Sequence, residues 1–235
     1  MTQHVAARIA FTGFGVLAAV HLITQLIDPD AMLVDATQWL LMPVLAAALA
    51  LGTPAPRSRL IELTLVALAF SWLGDTAPDL FGGDTSFLVL VGFFLCAQVT
   101  YIAAFAPYRA VSVLHTRRWV LAVFAVAVVA LVAVCAPGAG PLLVPVMLYG
   151  LCLATMAVLA TGVGPTVAIG AVIFVVSDSL IALRAFIDDF PLPLSGFWVM
   201  LTYIAAQVLI THGVMTRARA DRDENVDRTA VRQLD

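Results

Sequence analysis

Two aspartates, Asp75 and Asp178, lie inside long apolar stretches of this 235-residue chain. Placing a carboxyl group at the centre of a membrane helix costs about 2.5–3.5 kcal/mol, whereas hydrogen bonds between such helices average below about 1 kcal/mol. We therefore expect these aspartates to do more than hold helices together, and paired carboxyl groups are typical of acid–base catalysis. Burial and a second nearby carboxylate both disfavour the charged form, so we expect one protonated acid beside one ionised partner.

Glutamine and tyrosine side chains at helical spacing could complete a pocket around the two acids. Gln98 and Tyr101 are three residues apart, and Tyr203 and Gln207 are four residues apart. Residues at either spacing lie on one face of a helix. We interpret these four side chains, together with the aspartates, as one polar pocket between two pairs of helices.

Two polar neighbours of Asp178 each have two interpretations. Ser177 either allows close packing of helices or orients the Asp178 carboxyl group. Arg184 lies about 120° around the helix from Asp178 and nearer the end of the helix. It either binds a lipid phosphate or serves as an interfacial anchor paired with Asp188.

Residues that ligate metals show no usable pattern in this chain. Cys96, Cys135 and Cys152 lie in apolar runs without metal-ligand spacing. His21 and His212 are expected near opposite membrane faces, and no H-x-x-x-H spacing occurs. We therefore predict no metal and no cofactor. We also predict no nucleic-acid partner, because a basic stripe is lacking, and neither a G-x-S-x-G elbow nor a glycine-rich phosphate loop is found.

The composition indicates that membrane helices position these side chains. The chain is 62% hydrophobic and 11% charged, with a mean hydropathy of +1.03, which is more apolar sequence than a soluble domain uses. We predict an all-α polytopic membrane protein with a transmembrane domain at 1–216 and a polar cytoplasmic tail at 217–235. No cleavable signal peptide is expected. Eight segments approach the length of about 20 residues that a span needs: 5–27, 36–52, 60–80, 86–106, 118–136, 141–161, 166–187 and 195–215.

Charges in the loops predict the orientation. Arginines cluster at the N-terminus, in the loops after even-numbered spans and at the C-terminus: Arg8, Arg57, Arg59, Arg109, Arg117, Arg118, Arg217 and Arg219. The opposite loops carry aspartates, with Arg184 the only base nearby. The positive-inside rule therefore predicts that both termini are cytoplasmic, and an even number of spans agrees. The expected location is the bacterial plasma (inner) membrane, with multiple passes.

Three short motifs recur at a nearly constant offset. They are LMPVL at 41–45 and LVPVM at 143–147, LGD at 73–75 and VSD at 176–178, and YIAA at 101–104 and 203–206. The offsets are 102, 103 and 102 residues. This pattern predicts a 4+4 parallel internal repeat whose halves are related by an axis along the membrane normal. Asp75 and Asp178 would then be equivalent and face each other across that axis.

Four segments resemble, in order, motifs of the YhhN-type lysoplasmalogenase-like membrane family: FSWLGDTAPDLF, FFLCAQVTYIAAF, GAVIFVVSDSLIALRAF and VMLTYIAAQVLI. The resemblance covers nearly all eight spans. It implies hydrolysis of the vinyl ether bond of a lysoplasmalogen to a fatty aldehyde and a glycerophospho-head group. It also implies that Asp75 and Asp178 are the catalytic acids, with Tyr203 and Gln207 in the same pocket. Gln38 stands near where family members often carry a Lys, so that head-group contact is either missing here or made by Gln38.

Paired carboxyl groups suit that reaction. A vinyl ether is hydrolysed by protonation of its β-carbon, addition of water to the resulting oxocarbenium-like cation and collapse of the hemiacetal. One Asp would donate the proton, and the other would act as base and counter-charge, as in two-carboxylate glycosidases. The residue pattern leaves open which Asp has which role.

Two other interpretations are consistent with the same residues. A proton-coupled transporter of a small amphiphile or lipid would use the Asp pair to carry protons, and parallel repeats suit it equally. A non-enzymatic lipid-binding protein would need neither acid for its function. The expected partners are a lysolipid substrate and membrane lipids, and the sequence does not indicate an oligomeric state.

Overall fold

The computed structural model describes residues 2–232, and side chains within 5–225. It contains α1 (Thr2–Ile27), α2 (Met32–Gly52), α3 (Arg59–Thr76), α4 (Gly83–Phe105), α5 (Val113–Thr116), α6 (Trp119–Ala139), α7 (Leu143–Val163), α8 (Pro165–Phe186) and α9 (Ser195–Arg232). Short 3-10 helices lie at Ala77–Leu80, Ala106–Val111 and Gly140–Leu142. The described residues form no strand, so the all-α prediction is confirmed.

Seven segments within the described residues are long and apolar enough to cross a membrane. One of them, Trp119–Val163, has 45 residues and contains both α6 and α7. The turn between these helices, Gly140–Leu142, carries no charged residue that would divide the apolar stretch. The structure therefore supports a multi-helix membrane protein, and the eight separate spans stay a prediction.

The helices that carry the candidate residues pack in two groups joined at two places. In the first group α1 packs on α2, α2 on α3, and α3 on α4; in the second, α6 packs on α7 and α8, α7 on α8, and α8 on α9. The groups meet where α4 contacts α7 and where α9 contacts α1, α2 and α3. Since α9 packs on α8 within its own group and also contacts the first group, its side chains can reach residues on α3 as well as on α8.

Close contact between α8 and α9 depends on a glycine. A Cβ atom added to Gly170 would lie 2.9 Å from the carbonyl oxygen of Ala206 and 2.9 Å from the amide nitrogen of Ile210, both on α9. Small residues let membrane helices approach in this way, because the backbone itself becomes the packing surface. The contact helps fix α9 beside α8, the helix that carries Asp178.

The predicted polar tail continues α9 through residue 232, and residues 233–235 lie outside the described part of the chain. Arg222 donates hydrogen bonds to the carbonyl oxygens of Pro54 and Pro56, at 3.2 and 3.1 Å. The Tyr108 hydroxyl donates to the carboxylate of Asp221. These contacts attach the polar end of α9 to the α2–α3 connection and to the turn after α4.

Candidate active site

A cavity of ≈ 390 Å³ lies among α3, α4, α8 and α9, and residues of α1 and α2 complete its wall. This volume is within the usual range for small-molecule sites. The polar residues of the wall are Gln25, Gln38, Asp75, Asp79, Ser177, Asp178, Arg184 and Tyr203. Both predicted catalytic aspartates therefore line the same space.

Asp75 lies at the end of α3, where the chain turns into the 3-10 helix Ala77–Leu80, and is 8% exposed. The Tyr203 hydroxyl, from α9, donates a hydrogen bond to its Oδ2 atom at 2.8 Å. The Gln38 side chain, from α2, donates to the backbone carbonyl of Asp75 at 3.3 Å. Three helices thus determine the position of Asp75, and the Tyr203 hydroxyl is the group that holds its carboxylate.

Asp178 lies in the second half of α8 and is also 8% exposed. Its Oδ2 atom accepts a hydrogen bond from the hydroxyl of Tyr149, on α7. The neighbouring Ser177 hydroxyl donates instead to the carbonyl oxygen of Val199, on α9, at 3.0 Å. In this structure Ser177 therefore links α8 to α9, and Tyr149 holds the Asp178 carboxylate.

Three of the predicted pocket residues lie behind the cavity wall. Tyr101 donates to Oε1 of Gln207 at 2.7 Å, and Nε2 of Gln207 donates to the hydroxyl of Ser71 at 3.1 Å. Gln98 is fully buried, and its amide has no hydrogen-bond partner among the described residues, although it lies close to the Tyr149 hydroxyl. These three side chains are buried and do not line the cavity.

A small apolar pocket of ≈ 30 Å³ adjoins the cavity on the side of Asp178. Its wall comes from α4, α7 and α8 and includes Leu90, Val146, Tyr149 and Ile181. Asp178 borders both spaces, whereas Asp75 borders only the larger one. The two carboxyl groups therefore face different surroundings, and Asp178 is the one next to hydrocarbon.

Arg184 lines the cavity closer to the end of α8 than Asp178. Its side chain is exposed and forms no ion pair with Asp188 or with another described carboxylate. The interpretation of Arg184 as an anchor paired with Asp188 is therefore not supported by the geometry. Arg184 is instead the only cationic residue among those of the described cavity wall.

Comparison with known proteins agrees with the resemblance of the motifs. Residues 35–214 match the model of the YhhN family. This chain belongs to the YhhN family. Lysoplasmalogenases of Mycobacterium bovis and Mycobacterium tuberculosis are each 31% identical to it over 188 residues, which cover 73% of this chain and 67% of theirs. No solved structure gave a significant match.

In this YhhN family member, three residues of the site were not identified in the sequence. Tyr149 could have been identified from the sequence, since a phenol inside an otherwise apolar span needs a hydrogen-bond partner. Asp79 and Gln25 lie in short polar stretches at helix ends, where a loop position explains them equally well. Gln25 also lies outside the region that matches the family model, whereas Tyr149 and Asp79 lie within it.

Proposed function

We propose that this chain hydrolyses the vinyl ether bond of lysoplasmalogen-type lysolipids to a fatty aldehyde and a glycerophospho-head group. The observation that carries the proposal is that Asp75 and Asp178 line one cavity, each accepting a hydrogen bond from a tyrosine on another helix. Membership of the YhhN family and the two relatives named lysoplasmalogenase support this choice of reaction.

The proposed mechanism divides the work between the two aspartates. Asp178 donates a proton to the β-carbon of the vinyl ether, which lies on the chain side of the ether oxygen. Asp178 suits this role because it borders the apolar pocket, where the first carbons of the chain can lie. The C=C π bond breaks as the new C–H bond forms, and the positive charge is shared by the α-carbon and the ether oxygen.

Asp75 then acts as counter-charge and general base. Its carboxylate stabilises the oxocarbenium-like cation and takes a proton from the water that adds to the α-carbon. The hemiacetal collapses when its C–O bond to glycerol breaks and Asp178, now a carboxylate, takes the hydroxyl proton. Asp75 gives the proton that it took from water to the glycerol oxygen, so both aspartates regain their starting states, water is the only co-reactant, and the products are an aldehyde and an alcohol.

The tyrosines keep the two carboxyl groups in place during these steps. Tyr203 packs edge-on against Phe94 and Phe174, each at a ring-centroid distance of 5.7 Å. A ring held on two sides has little freedom, so the Tyr203 hydroxyl stays directed at Asp75. Pre-organised contacts of this kind need no reorganisation when charge develops in the transition state.

The membrane arrangement that we propose has eight spans in a 4+4 parallel repeat, with both termini in the cytoplasm of a bacterial inner membrane. The domain at 1–216 would be the catalytic unit, and 217–235 the cytoplasmic tail. Asp75 and Asp178 border one cavity, as equivalent residues of two halves would. Their tyrosines are not equivalent, however, because Tyr203 comes from the opposite half and Tyr149 from the same half as its aspartate.

The reaction is tested with purified protein in detergent and two matched substrates. We expect 1-alkenyl-glycerophosphoethanolamine to give one aldehyde per lipid consumed, measured by trapping with a hydrazine reagent. The saturated 1-alkyl analogue should give no aldehyde, since it has no double bond to protonate.

A transporter would leave both lipids intact, because it forms no new product. Absence of aldehyde from the vinyl ether, in protein that elutes as a single folded species, would contradict the proposal. Release of fatty acid from a 1-acyl lysolipid, at the rate at which aldehyde is released from the vinyl ether, would contradict the assigned bond.

A further inference from the structure

A cation and an amide converge on one spot of the cavity wall, away from the catalytic carboxyl groups. Arg184 and Gln25 both line the cavity, from α8 and α1 respectively. A Cβ atom added to Gly196 would lie 3.3 Å from Nη1 of Arg184 and 3.4 Å from Nε2 of Gln25. Because Gly196 has no Cβ atom, these two hydrogen-bond donors can lie close to the backbone of the first turn of α9.

Neither polar group has a partner among the described residues that explains its position. Arg184 makes no ion pair with a described carboxylate. The Oε1 atom of Gln25 is buried and has no hydrogen-bond partner among the described residues. A buried amide oxygen without a partner is costly. Rotation of the amide by 180° exchanges its donor and acceptor, so a ligand could use either.

The start of α9 adds donors of the same kind. The helix begins at Ser195, and Gly196 lies in the cavity wall. The N–H groups of a first helical turn have no acceptor within the helix and favour an anionic group. Arginine, amide and free backbone N–H groups together are donors that suit phosphate oxygens, which act only as acceptors.

The position of this cluster fits the geometry of the substrate. The rise from Asp178 to Arg184 along α8 is about 9 Å at about 1.5 Å per residue. A vinyl ether at one end of glycerol and a phosphate at the other are separated by a comparable distance in an extended chain. We propose that Arg184, Gln25 and Gly196 form the subsite for the phosphate group of the lysolipid, an inference that rests on the proposed function.

Binding of a lipid that the protein cannot cleave tests the subsite separately from catalysis. The probe is saturated 1-alkyl-glycerophosphoethanolamine, and its partner is 1-alkyl-glycerol, which lacks the phosphate. We expect Arg184→Gln to raise the Kd of the phospholipid by about tenfold or more, and Gln25→Leu to raise it less, since charged hydrogen bonds contribute more than neutral ones. Binding of alkylglycerol should change by less than about twofold, because no phosphate contact is lost.

Arg118→Gln serves as the matched control, since it also removes one exposed arginine. Arg118 lies at the end of the connection between α4 and α6. Its Kd values should equal those of wild type. An equal loss of affinity for both lipids in Arg184→Gln would overturn the subsite, as would a Kd unchanged from the control. Inorganic phosphate should displace the lipid more weakly than glycerophosphoethanolamine does. Equal displacement by the two would overturn the proposal that the subsite recognises the phosphate as part of a lipid.

Aldehyde release from the vinyl ether lipid is measured on the same preparations. Normal phosphate-dependent binding without aldehyde would support the subsite and reject the reaction. Aldehyde release with phosphate-independent binding would reject the subsite and leave the reaction standing. Failure of the two proposals can therefore be told apart.

Discussion

Asn in place of Asp75 or Asp178 is expected to lower kcat for lysoplasmalogen hydrolysis by about 10²- to 10⁴-fold, the usual contribution of a general acid or base. Asn has nearly the same shape as Asp and can still accept a hydrogen bond from tyrosine, but it transfers no proton at the β-carbon or from water. The kcat of the double variant should be only slightly below that of the less active single variant, because the two groups act in one sequence of steps. Hydrazine trapping of aldehyde measures all three.

Asp84→Asn is the control for these variants. Asp84 is an exposed carboxylate in the first turn of α4, and it does not line the cavity. Its variant should keep wild-type kcat. Thermal unfolding of each protein shows whether a loss of rate comes from a loss of folded protein. Folded Asp75→Asn or Asp178→Asn with wild-type aldehyde production would exclude that residue as a catalytic acid or base.

Phe in place of Tyr149 is expected to give the next largest effect, a fall in kcat of about tenfold to a hundredfold. Asp178 becomes a carboxylate as it gives up its proton, and a hydrogen bond to a charged group contributes about 1.5–3 kcal/mol. Tyr149 is the group that donates to Asp178. Without it the carboxyl group is free to rotate away from the β-carbon. Tyr203→Phe removes the corresponding contact to Asp75 and should fall in the same range.

Tyr108→Phe distinguishes loss of this contact from a general effect of removing a phenol. Tyr108 binds Asp221 on the polar end of α9, outside the cavity. Its variant should melt at a lower temperature but retain kcat. If Tyr149→Phe also kept wild-type kcat while Tyr203→Phe lost activity, the role of Asp178 as proton donor would need revision.

Hydropathy and motif spacing predicted the all-helical class, and they singled out both aspartates that line the cavity. The reason is physical: a carboxyl group is rare in an apolar helix because its cost has to be offset by a function. The same logic could have included Tyr149, since a phenol also carries an unsatisfied polar group into the membrane. Its partner, however, depends on how α7 packs against α8, and that packing is not visible in the spacing of residues.

Helical spacing also placed Gln98, Tyr101 and Gln207 in the pocket, whereas the structure buries them behind its wall. Residues three or four apart share a face, but the spacing does not tell how far along the bundle that face meets a cavity. Gln25 was missed for a related reason. In the sequence it is only an amide near a helix end. Its proposed role depends on the packing of α1, α8 and α9, which brings Gln25 and Arg184 to the same glycine, Gly196.

The number of spans illustrates a limit of hydropathy. The sequence predicted two spans here, 118–136 and 141–161, with a break at Pro137 and Gly138. The structure continues α6 to Ala139 and turns within Gly140–Leu142. Because this turn is apolar, the stretch Trp119–Val163 counts as one candidate segment by composition. Labelling of a Cys placed at the turn with a membrane-impermeant reagent would distinguish one segment from two.

Hydrolysis by wild-type protein in D₂O shows whether the β-carbon of the vinyl ether is protonated. The aldehyde is reduced to the alcohol as it forms, so that later exchange is prevented, and its mass is measured. Protonation at that carbon predicts one deuterium at the carbon next to the carbonyl carbon in each product molecule. An aldehyde with no more deuterium there than a sample of aldehyde incubated alone would contradict it.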